Sequence, residues 1–198
     1  MKDIKSFIHQ YTKNTNESKL ATFDKLSTLC DDPAGLTCSY HVAKNKQIAK
    51  EILGYPSFED AAISVKENIS NAFLVPGAYP KVNSFIMDPQ LVVKEVFIEK
   101  IPALVFATKI DENLVNDKDK VIYHHPAVTP LLSELAINWT KTIHASSNSQ
   151  ACKLLIENPE NSRCITNQIC AHHYKLKIIK ILRTGIQMPW LCIGKLCE

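Results

Sequence analysis

His124-His125 and the run Ser147-Asn148-Ser149 are the residues whose types and placing could do chemistry. Each group follows a short apolar run, Val121-Ile122-Tyr123 in one case and the segment around Ile143 in the other. Each precedes a stretch with helical spacing. A strand that runs out into a helix start presents unpaired backbone N–H groups and the positive end of the helix dipole. Open α/β folds bind anionic ligands at such places. Two such turns between Val121 and Ile156 predict one shared cleft for a small anion.

Composition narrows the partner. A net charge of +3 on 198 residues is too mild for nucleic acid, which needs a clustered basic patch, and it suits a small anionic ligand. No window approaches the apolar length of a membrane span, and the N-terminus has no signal-peptide core, so the expectation is a cytoplasmic protein with no membrane partner. The seven cysteines, Cys30, Cys38, Cys152, Cys164, Cys170, Cys192 and Cys197, form no C-x-x-C pair and match no zinc spacing. In a reducing compartment they read as free thiols, several of them buried as small hydrophobes. No metal and no cofactor is expected.

The elements that must position these residues alternate. Residues 1–25 read as an N-terminal helical extension, with Ile4, Phe7, Ile8 and Tyr11 at helical spacing. The body is expected to start near Leu26, with a strand at 27–30 and then a turn-rich loop. A helix is predicted from Ser39 to Leu53, with Gly54 as its C-cap. A second helix is predicted over 58–66, with Ser57 as N-cap and Asp60 three residues on. A strand at 71–76 stops at Pro76, and 77–89 is a loop with a short helical part. Two strands follow, 91–98 and 101–108, broken by Glu99-Lys100. Residues 111–120 are a polar connection. Then come the Val121 strand, a helix over 127–138, the strand near Ile143, a helix over 149–158, a turn at Pro159, and a strand over 163–166. A helix over 167–174, a strand over 176–182, a loop from Gly185 and a strand over 188–193 complete the chain. Alternation of strand and helix predicts an α/β fold.

Five motifs in order then resemble the prephenate dehydratase domain, and more closely its non-aromatising relatives, the prephenate decarboxylases of the bacilysin and anticapsin type. They are Asp32-Pro33-Ala34-Gly35-Leu36-Thr37-Cys38-Ser39; Leu74-Val75-Pro76-Gly77-Ala78-Tyr79 with Phe85-Ile86-Met87-Asp88-Pro89; His125-Pro126-Ala127; Ser147-Asn148-Ser149-Gln150-Ala151; and the segment 164–171. The likeness covers roughly 29–195. It departs at Asp32, where the family has glycine, and at Gly77, where the bacilysin enzyme has histidine. Dehydratases carry Thr-Arg-Phe near the end, tied to loss of the ring hydroxyl. This chain has Met188-Pro189-Trp190, which is similar to the decarboxylases.

The resemblance implies a two-lobed, type II periplasmic-binding-protein-like α/β fold with a cleft between sheet-and-helix lobes. Lobe one would take 26–105 plus 184–198, lobe two 106–183, with no regulatory domain. It implies non-aromatising decarboxylation of a prephenate-like keto acid in a specialised amino-acid or antibiotic pathway. A homodimer is implied by the family alone. The dianion would be held by Thr37, Ser39, Ser147, Asn148 and Ser149, with positive charge from His124, His125 or Lys81, and the ring by Tyr79, Phe85, Met87 and Trp190. Tyr79 and His125 are the catalytic candidates, as proton donors, with water a third source. The rivals are a lyase on a different cyclic keto acid and a non-catalytic carboxylate binder.

Plainer readings stand beside each of these. Ser147 and Ser149 also read as helix N-caps, Trp190 as core, and Lys81 as a solvated loop lysine. The His124-His125 doublet also suits hydrogen-bonded structural roles. His172-His173 has no partner at metal spacing. Cys38 and Cys164 read as packing residues rather than nucleophiles.

Overall fold

The computed structural model describes residues 22–31, 35–109, 121–135, 137–158 and 162–196. The N-terminal helix through Tyr11, the 111–120 connection and the turn at Pro159 lie outside these residues. Among the described residues, ten strands form two five-stranded sheets. Sheet one has the order β2-β1-β3-β10-β4, from β1 (Phe23–Leu29), β2 (Ala49–Tyr55), β3 (Ala72–Pro76), β4 (Leu91–Lys100) and β10 (Gln187–Lys195). Sheet two has the order β7-β6-β8-β5-β9, from β5 (Leu104–Thr108), β6 (Val121–His124), β7 (Lys141–His144), β8 (Ser162–Asn167) and β9 (Lys177–Arg183). In each sheet three strands run parallel: β2, β1 and β3 in the first, β7, β6 and β8 in the second.

Helices cover both faces of each sheet, and strand alternation assigns the core residues to one face or the other. On β3, Phe73 and Val75 pack with α2 (Phe58–Lys66), while Ala72 and Leu74 pack with α1 (Cys38–Lys46). Being buried on both faces, β3 reads as a continuous apolar run. On β10, Leu191 and Ile193 join the α2 side, while Trp190 and Cys192 join the α1 side. In sheet two, α4 (Asn148–Glu157) and α5 (Gln168–His173) cover one face, with Val105, Ala107, Tyr123 and Cys164. A 3₁₀ helix over Pro126–Glu134 covers the other, with Phe106, Ile122 and Ile165. Inside sheet one, Ser27 Oγ donates to the Ala61 carbonyl at 2.9 Å and lies 3.0 Å from Ser70 Oγ, fixing α2 on β1.

The architecture is the two-lobed α/β arrangement expected, with four local differences. The helix predicted to run to Leu53 ends at Lys46, because Gln47 adopts a left-handed conformation with φ 52°. Ala-Lys-Glu-Ile-Leu-Gly-Tyr then pairs parallel with β1 as β2. Gly54 is therefore a strand residue, and a Cβ there would lie 2.6 Å from Cys30 Cβ. The expected break at Glu99-Lys100 does not occur, since these residues pair with Met188 and Gln187. The chain leaves sheet one after Lys100, where Pro102 cannot donate to a ladder. The predicted helix over 127–138 is 3₁₀ and stops at Glu134; Pro130 inside it has no N–H for an α-helical bond. The first strand starts at Phe23, inside the segment expected to be a helical extension.

Candidate functional site

The parallel strands of both sheets end at one region. After β1 the chain passes Asp31 and reaches the turn at Gly35, Leu36 and Thr37 that opens α1. In sheet two, β6 ends at His124, β7 leads into Ser147 at the start of α4, and β8 ends at Asn167, which opens α5. The two lobes touch there. Asn167 Nδ2 donates to the Leu36 carbonyl at 2.8 Å, and the Leu36 side chain packs into the core of the second lobe.

The first lobe supplies Thr37 and Ser39. Both hydroxyls donate to the Leu29 carbonyl, at 2.8 and 3.0 Å, and Thr37 also accepts from Tyr40 N–H. Their protons are committed to tying α1 to the end of β1. Thr37 is thus the N-cap of α1, as Ser147 is of α4, where it accepts from Gln150 N–H at 3.0 Å. Ser149 is buried, 2.9 Å from the Tyr174 hydroxyl. Asn148 holds its helix start in place, its carbonyl accepting from Thr166 Oγ1 at 2.9 Å, while its side-chain Oδ1 is buried without a partner.

The histidines make defined hydrogen bonds. His124 is 0% exposed, and its Nδ1 lies 3.1 Å from the His125 carbonyl. A carbonyl only accepts, so Nδ1 carries a proton, and Nε2 is buried without a partner. The His124 ring meets His144 edge-on, with centroids 5.0 Å apart. His125 caps the 3₁₀ helix: its Nδ1 accepts from Ala127 N–H at 3.2 Å, so a neutral His125 carries its proton on Nε2. Burial holds His125 below the ordinary imidazole range; His124 and His144 push the same way, and the Asp31 carboxylate opposes them.

The loop after β3, with the short helix α3 (Val82–Ile86), builds a separate group on the first lobe. Tyr79 donates through its hydroxyl to both oxygens of Glu59, at 2.9 and 3.1 Å, and Lys81 pairs with the same carboxylate at 3.1 Å. The Tyr79 ring stacks on Phe85 and meets Phe58 edge-on. Burial, with Glu59 adding, pushes the Tyr79 phenol up to about 12.

Thr37, Ser39, His124, His125, Ser147, Asn148 and Ser149 therefore gather where the strands end. The expected apolar wall does not form one surface. Phe85 is core, packed edge-on against Phe73 on the α2 side of sheet one. Trp190 is 1% exposed and packs on the α1 side, because consecutive β10 residues point to opposite faces. Met87 is 72% exposed. Cys38 is raised to about 12, by burial first and by Cys170 second, and so stays a thiol. Among the described residues, no three His, Cys, Asp or Glu side chains gather as metal ligands.

Sequence reasoning passed over Asp31, Glu59, His144 and Asn167. Asp31 Oδ2 is buried without a partner, and the carboxylate acts on both His125 and Cys170. Its signal was an acidic doublet before a proline at a strand end. Glu59, in the first turn of α2, had none beyond its place there, and Asn167 read only as the start of a helix.

No protein-family model matches the chain. A prephenate decarboxylase from Bacillus amyloliquefaciens is 25% identical over 198 residues, covering 95% of this chain and 93% of the relative. The structure of prephenate dehydratase from Arthrobacter aurescens in complex with L-Phe matches with a TM-score of 0.66 at 12% identity. That match covers 88% of this chain, which spans 61% of that structure's length. The periplasmic VFT2 domain of BvgS from Bordetella pertussis matches with a TM-score of 0.53 at 15% identity, over 94% of this chain and 85% of that one. The fold is a two-lobed, type II periplasmic-binding-protein-like α/β domain. Within that class the chain is similar to prephenate decarboxylase in sequence and to prephenate dehydratases in fold. Among the described residues, no helix is long and apolar enough to cross a membrane.

Proposed function

We propose that this chain is a cytoplasmic lyase that decarboxylates prephenate without aromatising its ring, giving a dihydro-4-hydroxyphenylpyruvate in a specialised amino-acid or antibiotic pathway. One observation carries the reading. Met188-Pro189-Trp190 borders the β3 loop, with Gly77 N–H donating to the Pro189 carbonyl at 2.8 Å. Where the dehydratases of the resemblance carry a threonine and an arginine, this segment offers neither a hydroxyl nor a guanidinium. A ring hydroxyl leaves readily only when an acid protonates it.

The two carboxylates of the substrate fit the N-termini of α1 and α4, whose first N–H groups lie beside Thr37 and Ser147. His125 is the better proton source of the two catalytic candidates. It is half-buried, and its imidazolium form, the minor one near pH 7 because burial lowers its pKa, is a far stronger acid than a phenol near 12 and carries an Nε2–H for a ring carbon. Tyr79 already gives its proton to Glu59, and a phenol near 12 is a poor relay at neutral pH. Lys81, paired with Glu59, adds charge at the rim rather than a direct carboxylate contact.

The test is prephenate mixed with purified protein at neutral pH, followed by NMR against an enzyme-free control. Signals of a ring-reduced hydroxyphenylpyruvate are expected. Phenylpyruvate as the product would overturn the argument from residues 188–190. A second reading, a lyase on a different cyclic keto acid, is favoured by Asp31, a carboxylate in a cleft meant for a dianion. Unchanged prephenate would leave that reading in its place.

A further inference from the structure

β8 ends in two consecutive residues, Thr166 and Asn167, both 0% exposed, and each grips the start of a different helix. Thr166 Oγ1 donates to the carbonyl of Asn148, the first residue of α4, at 2.9 Å. Asn167 Nδ2 donates to the Leu36 carbonyl at 2.8 Å, one peptide bond before Thr37, the N-cap of α1. The first grip lies within the second lobe. The second reaches across to the first lobe.

Neither residue is free to swing. Thr166 Oγ1 also accepts from the Cys152 thiol at 3.3 Å. Asn167 Oδ1 accepts from Cys170 N–H at 2.8 Å, which fixes the amide with its NH₂ toward Leu36. Asn167 pairs with Leu104, and Gln168 N–H donates to the Ala103 carbonyl at 2.8 Å. The end of β8 is therefore tied to the connection by which the chain passes from sheet one to sheet two. On the other side, the Thr37 and Ser39 hydroxyls hold the start of α1 to the Leu29 carbonyl, and the Leu36 side chain is buried in the core of the second lobe. Neighbouring residues on a strand stand only about 3.3 Å apart along it, so the two grips move together.

We propose that Thr166 and Asn167 are positioning residues that set the separation of the two helix starts, and so make the site selective for ligands carrying two carboxylates at a fixed span. This rests on the reading of the α1 and α4 starts as carboxylate sites, and not on what becomes of the ligand there. Each helix start, with its free N–H groups and dipole, favours one anion. A second carboxylate on a stiff ring adds affinity only where its site already stands at the distance the ring presents. A strap built from adjacent residues of one strand holds that distance before the ligand arrives, so binding does not have to bring two lobes together. A ligand with one carboxylate needs one helix start and is indifferent to the separation.

The experiment measures binding by calorimetry of 4-carboxyphenylpyruvate and phenylpyruvate, which differ by one carboxylate. It compares wild type, Asn167→Ser, Thr166→Val and Thr166→Ser, with folding checked by circular dichroism. Wild type should bind the dicarboxylate about tenfold more tightly, in line with a charge placed at a helix N-terminus. Asn167→Ser keeps a good cap for α5 but is too short to reach Leu36, and Thr166→Val keeps the shape while removing the donor. Each should cut the preference below about threefold while phenylpyruvate affinity stays within about twofold. Thr166→Ser retains the hydroxyl and should retain the preference. Simple structural damage would weaken both ligands alike, and that outcome overturns the proposal. So does an absence of binding or of preference in wild type, or a preference that survives in every folded variant lacking a donor. Should one of Asn167→Ser and Thr166→Val fail to fold, the other decides. Prephenate left unchanged by a wild type that shows the preference, and variants that lose it, sinks the decarboxylase reading and supports the strap.

Discussion

Asn167 and Leu36 lie 131 residues apart in sequence, yet Asn167 Nδ2 donates to the Leu36 carbonyl over 2.8 Å. The same side chain accepts from Cys170 N–H through Oδ1, also at 2.8 Å. One buried amide therefore caps α5 in the second lobe and fixes the turn before α1 in the first. The site's geometry depends on that turn, since it sets where Thr37 and Asp31 stand.

Asn167→Ala should remove a helix cap, leave the Cys170 N–H without its acceptor, and leave the buried Leu36 carbonyl with only the weak Cys170 thiol donor at 3.4 Å. The expected loss is about 2–4 kcal/mol of stability. Urea unfolding of the wild type and variant measures it. A loss within error would mean that the two lobes are held together elsewhere.

Stability should fall as pH drops from neutral through 6.5. His125 is held below its ordinary 6.5, chiefly by burial. The unfolded chain therefore binds a proton first as pH drops, and the stability present above 6.5 is lost as pH falls toward the folded value. His41 is lowered for the same first reason and adds in the same direction. His124, His144 and Asp31 are the groups that act on His125. Melting temperatures across this range should slope less in His125→Gln than in wild type, and an unchanged slope would assign the effect to His41.

The two proton-donor candidates separate by substitution. His125→Gln should lower kcat on prephenate about 100-fold, the usual worth of a positioned acid. Tyr79→Phe keeps the ring contacts with Phe58 and Phe85 and should stay within about tenfold. Steady-state kinetics decides, and the reverse order would make Tyr79 the donor.

Gly77→Ala should disturb the segment that replaces the dehydratase motif. A Cβ there would meet Pro189 Cγ at 2.8 Å and the Pro189 carbonyl oxygen at 3.4 Å. Neither neighbour is the free end of a flexible chain, so the expected cost is about 1–3 kcal/mol, read as a lower melting temperature.

Much of this architecture was legible in the residues, and the exceptions have physical causes. The helix over Phe58–Lys66 was plain because Ser57 and Asp60 mark its start, and Ser57 does accept from Asp60 N–H. The β2 segment misled because Ala-Lys-Glu-Ile-Leu has good helix formers, and only its parallel pairing with β1 makes it a strand. Trp190 looked like a ligand wall beside Phe85 because sequence does not reveal which face of β10 a residue takes. Asp31 was missed because its significance lies in a lone buried oxygen beside the other lobe, which no spacing encodes.

Sheet one is also incomplete for most of the chain's length. β4 pairs within the sheet with β10 alone, and β10 separates it from β3. Everything between Lys100 and Gln187, including the whole of sheet two, intervenes before that partner arrives. During synthesis the second lobe can therefore assemble first, while β4 waits with both edges open and its Val96 and Ile98 uncovered. Met188 to Trp190, on which the proposed chemistry turns, are carried by the strand that ends this wait. Closure of the nascent sheet and completion of the site are then a single late event, and it is at β4 that a chaperone would have most to protect.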